Sequence, residues 1–189
     1  LEVVRAKGTT GVDEVTAVLY DGTLSVLMAS CLAAAPVIVF GLFAFVGCRM
    51  FGVTIHYSTA IDGLLLQAYF TGAGSFLPMT TDMEYVGEPK RKMWAAAFAL
   101  LGTYAVHLAL VAVASERGAE LLGIATAQAQ MLQFASVMFL IYCFIYSFPI
   151  KPLEGHDVWS QSKLFWLAIW IPILISFLQS MPETFSAIL

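Results

Sequence analysis

The residues best equipped for chemistry are three histidines, His56, His107 and His156, together with the acids beside the last of them, Glu154 and Asp157. Imidazole nitrogens and carboxylate oxygens bind divalent metals or carry protons, but a catalytic zinc needs about three protein ligands converging on one point. No histidine forms an i, i+4 pair with another His, Asp or Glu, so spacing alone assembles no metal site. Glu154 and His156 stand in FPIKPLEGHDVW (148–159), the densest polar cluster of the apolar half of the chain, while His107 lies inside an apolar run. The cluster has a purely structural reading. Pro149 and Pro152 lack an N–H and cannot continue the preceding helix, and Gly155 permits a sharp change of direction. Two functional readings stand beside it. One is a site rebuilt from His107, Glu154 and His156. The other is a charge pathway through Arg49, Asp62, Gln67, His107 and Glu154, since ionisable groups at membrane depth are expensive and often functional.

The elements that must position these groups are membrane helices. The chain has 189 residues, 60% hydrophobic and 12% charged, with a mean hydropathy of +0.84, whereas soluble domains carry about 25% charged residues. A spanning helix needs about 20 mainly apolar residues. Residues 24–46, 93–114, 127–148 and 164–178 meet or approach that length, the last interrupted by Pro172. Residues 61–79 hold Asp62, Gln67, three glycines and Pro78, and either cross or re-enter. The fold expected is an all-α polytopic helical bundle of four to five transmembrane segments, with residues 1–23 as a polar N-terminal arm and 24–189 as the membrane domain. With five spans the nine Lys and Arg divide 7:2 between the two sides, and with four they divide 6:3. Both are legal topologies, and the bias mildly favours five spans.

Several function classes fall away. A net charge of −4, with KRK (90–92) as the only dense basic run, gives no face for displacing counterions from phosphates, so no nucleic-acid partner is expected. Neither GxSxG nor GxxxxGK[ST] occurs. Cys31, Cys48 and Cys143 lie apart from one another, without CxxC spacing, and read as small hydrophobes.

Within this frame, IYSFPIKPLEG (145–155) resembles the late motif of the site-2 protease family of intramembrane zinc metalloproteases, approximately FNLLPIPPLDG, whose aspartate ligates zinc. Pro149, Ile150, Pro152, Leu153 and Gly155 match; Glu154 takes the aspartate's place and Tyr146 the asparagine's. SFLP (75–78), EPKRK (88–92) and ALLGTYA (99–105) follow the order of the family's central region, with Thr103 where its AGP step has proline. FGLFAFVGCRMFGV (40–53) is similar to the first helix, in which HExxH precedes an RRFGV-like pattern, through Arg49, Phe51, Gly52 and Val53. In HExxH two histidines on one helix face bind zinc and the glutamate activates the bound water. Here those positions are Phe40, Ala44 and Gly41, none of which can ligate a cation or accept a proton.

The resemblance therefore implies a catalytically inactive member, with degenerate positions Phe40, Gly41, Ala44 and Glu154, no bound metal and no cofactor. Its expected role is a structural or assembly subunit of a larger membrane complex, with membrane lipids and other membrane-protein subunits as partners. Two alternatives are an active intramembrane protease with zinc in the rebuilt site, and an ion- or proton-translocating subunit. An energy-converting membrane is the expected host, and the start at Leu1 favours the mitochondrial inner membrane over a prokaryotic plasma membrane.

Overall fold

Four long apolar helices carry the architecture of the computed structural model, which describes residues 23–59, 81–151 and 153–180. Helix α1 (Thr23–Phe51) leads into an antiparallel hairpin of β1 (Thr54–Thr59) and β2 (Thr81–Val86), and α2 (Pro89–Ala114) returns. Two short helices alternate with the remaining long ones: α3 (Glu116–Leu122), α4 (Thr126–Tyr146), α5 (Glu154–Gln161) and α6 (Lys163–Ser180). Each of α1, α2, α4 and α6 is long and apolar enough to cross a membrane. The expected all-α bundle of four to five spans is thus present with four candidate spans among the described residues, and these also include one small two-stranded sheet.

Local chemistry explains the boundaries. Gly52 adopts φ +65° directly after α1, a left-handed conformation that glycine enters without steric cost. Pro89 occupies the first turn of α2, where its missing N–H costs nothing. Ser115 caps α3 by accepting from the Gly118 N–H at 3.1 Å, and Gly123 ends it at φ +65°. Gln128 reaches back to the Ala125 N–H at the start of α4. Pro172 does not break the last helix, which runs unbroken across it; membrane helices tolerate proline when neighbours re-satisfy freed backbone groups. The Tyr104 hydroxyl donates to the Pro172 carbonyl at 3.2 Å and ties α2 to α6 at that turn.

The strand pairing was not expected from a search for long apolar runs. Met83 and Tyr85 of β2 are buried while Glu84 and Val86 are exposed, the two-residue alternation of a half-buried strand. Residues 61–79 lie outside the described residues. Their flanks do not: Thr59 pairs with Thr81, and Thr54 with Val86. The pairing returns the chain to the end of the bundle it left, so α1 and α2 run antiparallel. Arg49, Lys90, Arg91, Lys92, Lys151 and Lys163 consequently share the hairpin end, and among the described residues only Arg117 lies at the other.

Packing is close and rich in small residues. A Cβ on Gly47 would stand 3.1 Å from the Ala95 carbonyl oxygen, and Ala95, Ala96, Ala97 and Ala99 are all buried. Where no hydrophobic drive separates helix from lipid, such close approach supplies the dispersion contacts that hold helices together.

Candidate functional site

Pro36, Phe40, Ala44 and Cys48 form one buried stripe down α1, each a helical turn from the next. Phe40 and Ala44 are both fully buried, so the two positions where HExxH would carry histidines do face the bundle interior. What they face is aromatic. The Phe40 ring lies 5.2 Å from both Tyr142 and Tyr146 of α4, which stack on each other at 4.2 Å. Gly41 lies off the stripe, and a Cβ there would meet nothing within 4 Å.

Glu154 approaches the same tyrosine pair from α5. It is the first residue of α5, 2% exposed, and within electrostatic reach of Tyr142. The reason lies in the turn before it. Helix α4 ends at Tyr146, Trp166 donates its indole N–H to the Ser147 carbonyl at 2.7 Å, and Gly155 presses directly against the Ser147 and Phe148 carbonyls. Glycine at 155 allows α5 to lie directly against the backbone that follows α4, while the body of α5 packs chiefly on α2. The sequence pattern identified the proline turn but not the α5 helix that follows it.

Phe40 and Glu154 thus both approach Tyr142, Ala44 is buried one turn along from Phe40, and the histidines stand on separate elements. His107 is buried and its Nδ1 lies 2.8 Å from the Ser136 carbonyl oxygen, so Nδ1 donates. Tyr104 stacks on the imidazole at 5.7 Å, and its hydroxyl lies 2.7 Å from Ser176 Oγ. This polar line joins α2, α4 and α6. His107 follows Lys92 by fifteen residues on α2, a rise of about 22 Å at 1.5 Å per residue, and Lys92 faces Asp157 of α5, so His107 lies away from the α5 end of the bundle. His156, two residues past Glu154 on α5, points around the helix from it and is half-buried. His56 is exposed on β1. Among the described residues, no three His, Cys, Asp or Glu side chains gather as metal ligands. Zinc does not fit the donor set at positions 40, 44 and 154: a phenyl ring, a methyl group and one carboxylate cannot supply the ligands a catalytic zinc requires. Asp62 and Gln67 of the charge pathway lie outside the described residues.

Outside the spans, the hairpin end carries a second polar group. Asp157 lies 4.0 Å from Lys92. Burial pushes its carboxyl above the usual carboxylate range; Lys92, His156 and Lys151 pull it down and Glu84 adds to the rise, with burial prevailing. A shallow cleft of about 390 Å³ at the opposite end is lined by residues including Glu116, Glu120, Gln130 and Gln133, remote from Glu154. Compared with known proteins, the chain matches no family model, no curated protein and no solved structure.

Proposed function

We propose that the chain is a catalytically silent, site-2-protease-like membrane protein that serves as a structural or assembly subunit of a larger membrane complex. The observation that carries this reading is Phe40: the ring stands, fully buried, at the first degenerate ligand position and packs on Tyr142 and Tyr146. A side chain packed against both rings of a stacked tyrosine pair cannot be displaced by a hydrated metal without opening the core. Ala44 is buried in the same hydrophobic core as Phe40, so these two positions support helix association in place of a reaction.

The rebuilt metal site is disfavoured by the separation of His107 from Glu154. A proton or ion pathway would need polar groups to continue from His107 towards Glu154; Leu100 of α2 and Leu140 and Cys143 of α4 are buried instead, the Cys143 thiol directed at the Leu100 carbonyl. An energy-converting membrane such as the mitochondrial inner membrane is the host this reading favours, because a bundle without its own chemistry finds its use within an assembly. Zinc content tests the silent site. Protein purified without chelators should hold far less than one zinc per chain, and stoichiometric zinc that is lost in Glu154→Ala would overturn the reading.

A further inference from the structure

Six of the seven described cations sit at the hairpin end, and at one place they surmount a lipid-facing track. On α2, residues 91, 94, 98, 101, 105 and 108 follow i+3 and i+4 spacing along one face, and each is exposed or half-buried. Arg91 stands at the top, its side chain 58% exposed. One turn below, Trp94 is 47% exposed and lies between Phe51 of α1 at 6.4 Å and Phe165 of α6 at 5.0 Å. Leu101 and Leu108, 43% and 48% exposed, continue the track towards the membrane centre. Cation, aromatic belt and aliphatic stripe thus follow in the order of a phospholipid's phosphate, glycerol region and acyl chain.

Charge bookkeeping at the top of the track leaves a deficit of anions. Lys90, Arg91 and Lys92 crowd the first turn of α2, where the helix dipole already favours negative charge. Glu88 pairs with Arg91 at 3.1 Å and Asp157 approaches Lys92 at 4.0 Å. Lys90 is exposed and has no ion pair among the described residues. We propose that Lys90 and Arg91, above the Phe51–Trp94–Phe165 row, bind the headgroup of an anionic phospholipid whose acyl chain lies along Leu101 and Leu108. The surface is independent of the silent-site reading.

The test uses the full chain in vesicles of phosphatidylcholine alone or mixed with phosphatidylglycerol, with brominated acyl chains on one lipid at a time. Quenching of Trp94, taken as the difference from Trp94→Phe, gives the relative affinity of the two lipids. One uncompensated cation corresponds to about fivefold preference for the anionic lipid, falling towards none at about 1 M salt. Lys90→Gln/Arg91→Gln should abolish the preference, the charge-preserving Lys90→Arg/Arg91→Lys should keep it, and Arg117→Gln at the other end should not change it. Equal quenching by both lipids would overturn the proposal, as would a preference that survives Lys90→Gln/Arg91→Gln. Competition by soluble glycerol phosphate at matched concentration would also overturn it, because the site would then take a free phosphate without its chain.

Discussion

Gly155→Ala should be among the most damaging single-methyl additions in this chain. The new Cβ would fall inside contact distance of the Ser147 carbonyl group and the Phe148 oxygen, which are backbone atoms held by the end of α4. Relief requires α5 to move, and that movement opens the packing of Val158 and the Trp159–Trp166 contact at 4.8 Å. Overpacking usually costs about 1–3 kcal/mol, and an unyielding backbone obstacle puts this substitution at about 3. For a chain of this size that lowers Tm by about 6–12 °C. Two controls use the same chemistry. Gly102→Ala would bring a Cβ 2.5 Å from Phe43 Cδ1, a ring that can turn aside, and should cost about 1 kcal/mol. Gly41→Ala meets open space and should be neutral or stabilising by up to about 1 kcal/mol through helix propensity. Thermal unfolding in detergent, read with a thiol-reactive dye in a Cys31→Ser background, reports exposure of the buried Cys48 and Cys143. A Gly155→Ala protein that melts with the wild type, or above Gly41→Ala, would refute the close α4–α5 contact.

Three further expectations use the same assay. Phe40→Ala should lose about 2–3 kcal/mol, from a cavity of about 100 Å³ at ~24 cal/mol per Å³, and Phe40→Leu clearly less; equal stability of Phe40→Ala and wild type would show that the aromatic cluster is not packed. Trp166→Phe removes the donor to the Ser147 carbonyl and should cost about 1–2 kcal/mol, visible as a Tm drop of a few degrees. For Asp157, a folded-state pKa above the ordinary 3.8 means the folded protein holds the proton more tightly. Its stabilising contribution is therefore full below pH 3.8 and is lost as pH rises through the raised value. Asp157→Asn should flatten that fall and be at least as stable as wild type at pH 7; a clear loss at pH 7 would mean that the Lys92 pair outweighs burial.

The spans were legible because about 20 consecutive apolar residues leave few alternatives to a membrane helix. Leu24 and Thr23 differ by one residue as starts of the first helix, and residues 93–114 fall inside Pro89–Ala114. Pro89 and the KRK run belong to the helix although their polarity placed them outside it, because a helix can extend past the hydrocarbon into the headgroup region. The hairpin was less visible: TIHYST and TDMEYV are short, and only the alternation of Met83 and Tyr85 with Glu84 and Val86 marks the second as a strand. Helix α5 was hidden by the prolines before it. At the site, residue types alone excluded HExxH chemistry, but the approach of Phe40 and Glu154 to the same Tyr142 depends on how helices pack, and no local pattern encodes that. The separation of His107 from Glu154 was likewise invisible, since both are simply polar residues in apolar surroundings.

The most direct measurement of the proposed role is the size and composition of the particle that contains the chain after gentle detergent extraction, by native electrophoresis and quantitative mass spectrometry. The expected result is a particle much larger than the 20.6 kDa chain, with other integral membrane proteins present in fixed stoichiometry. A monodisperse lone monomer, extracted under conditions that preserve other membrane complexes from the same source, would contradict it.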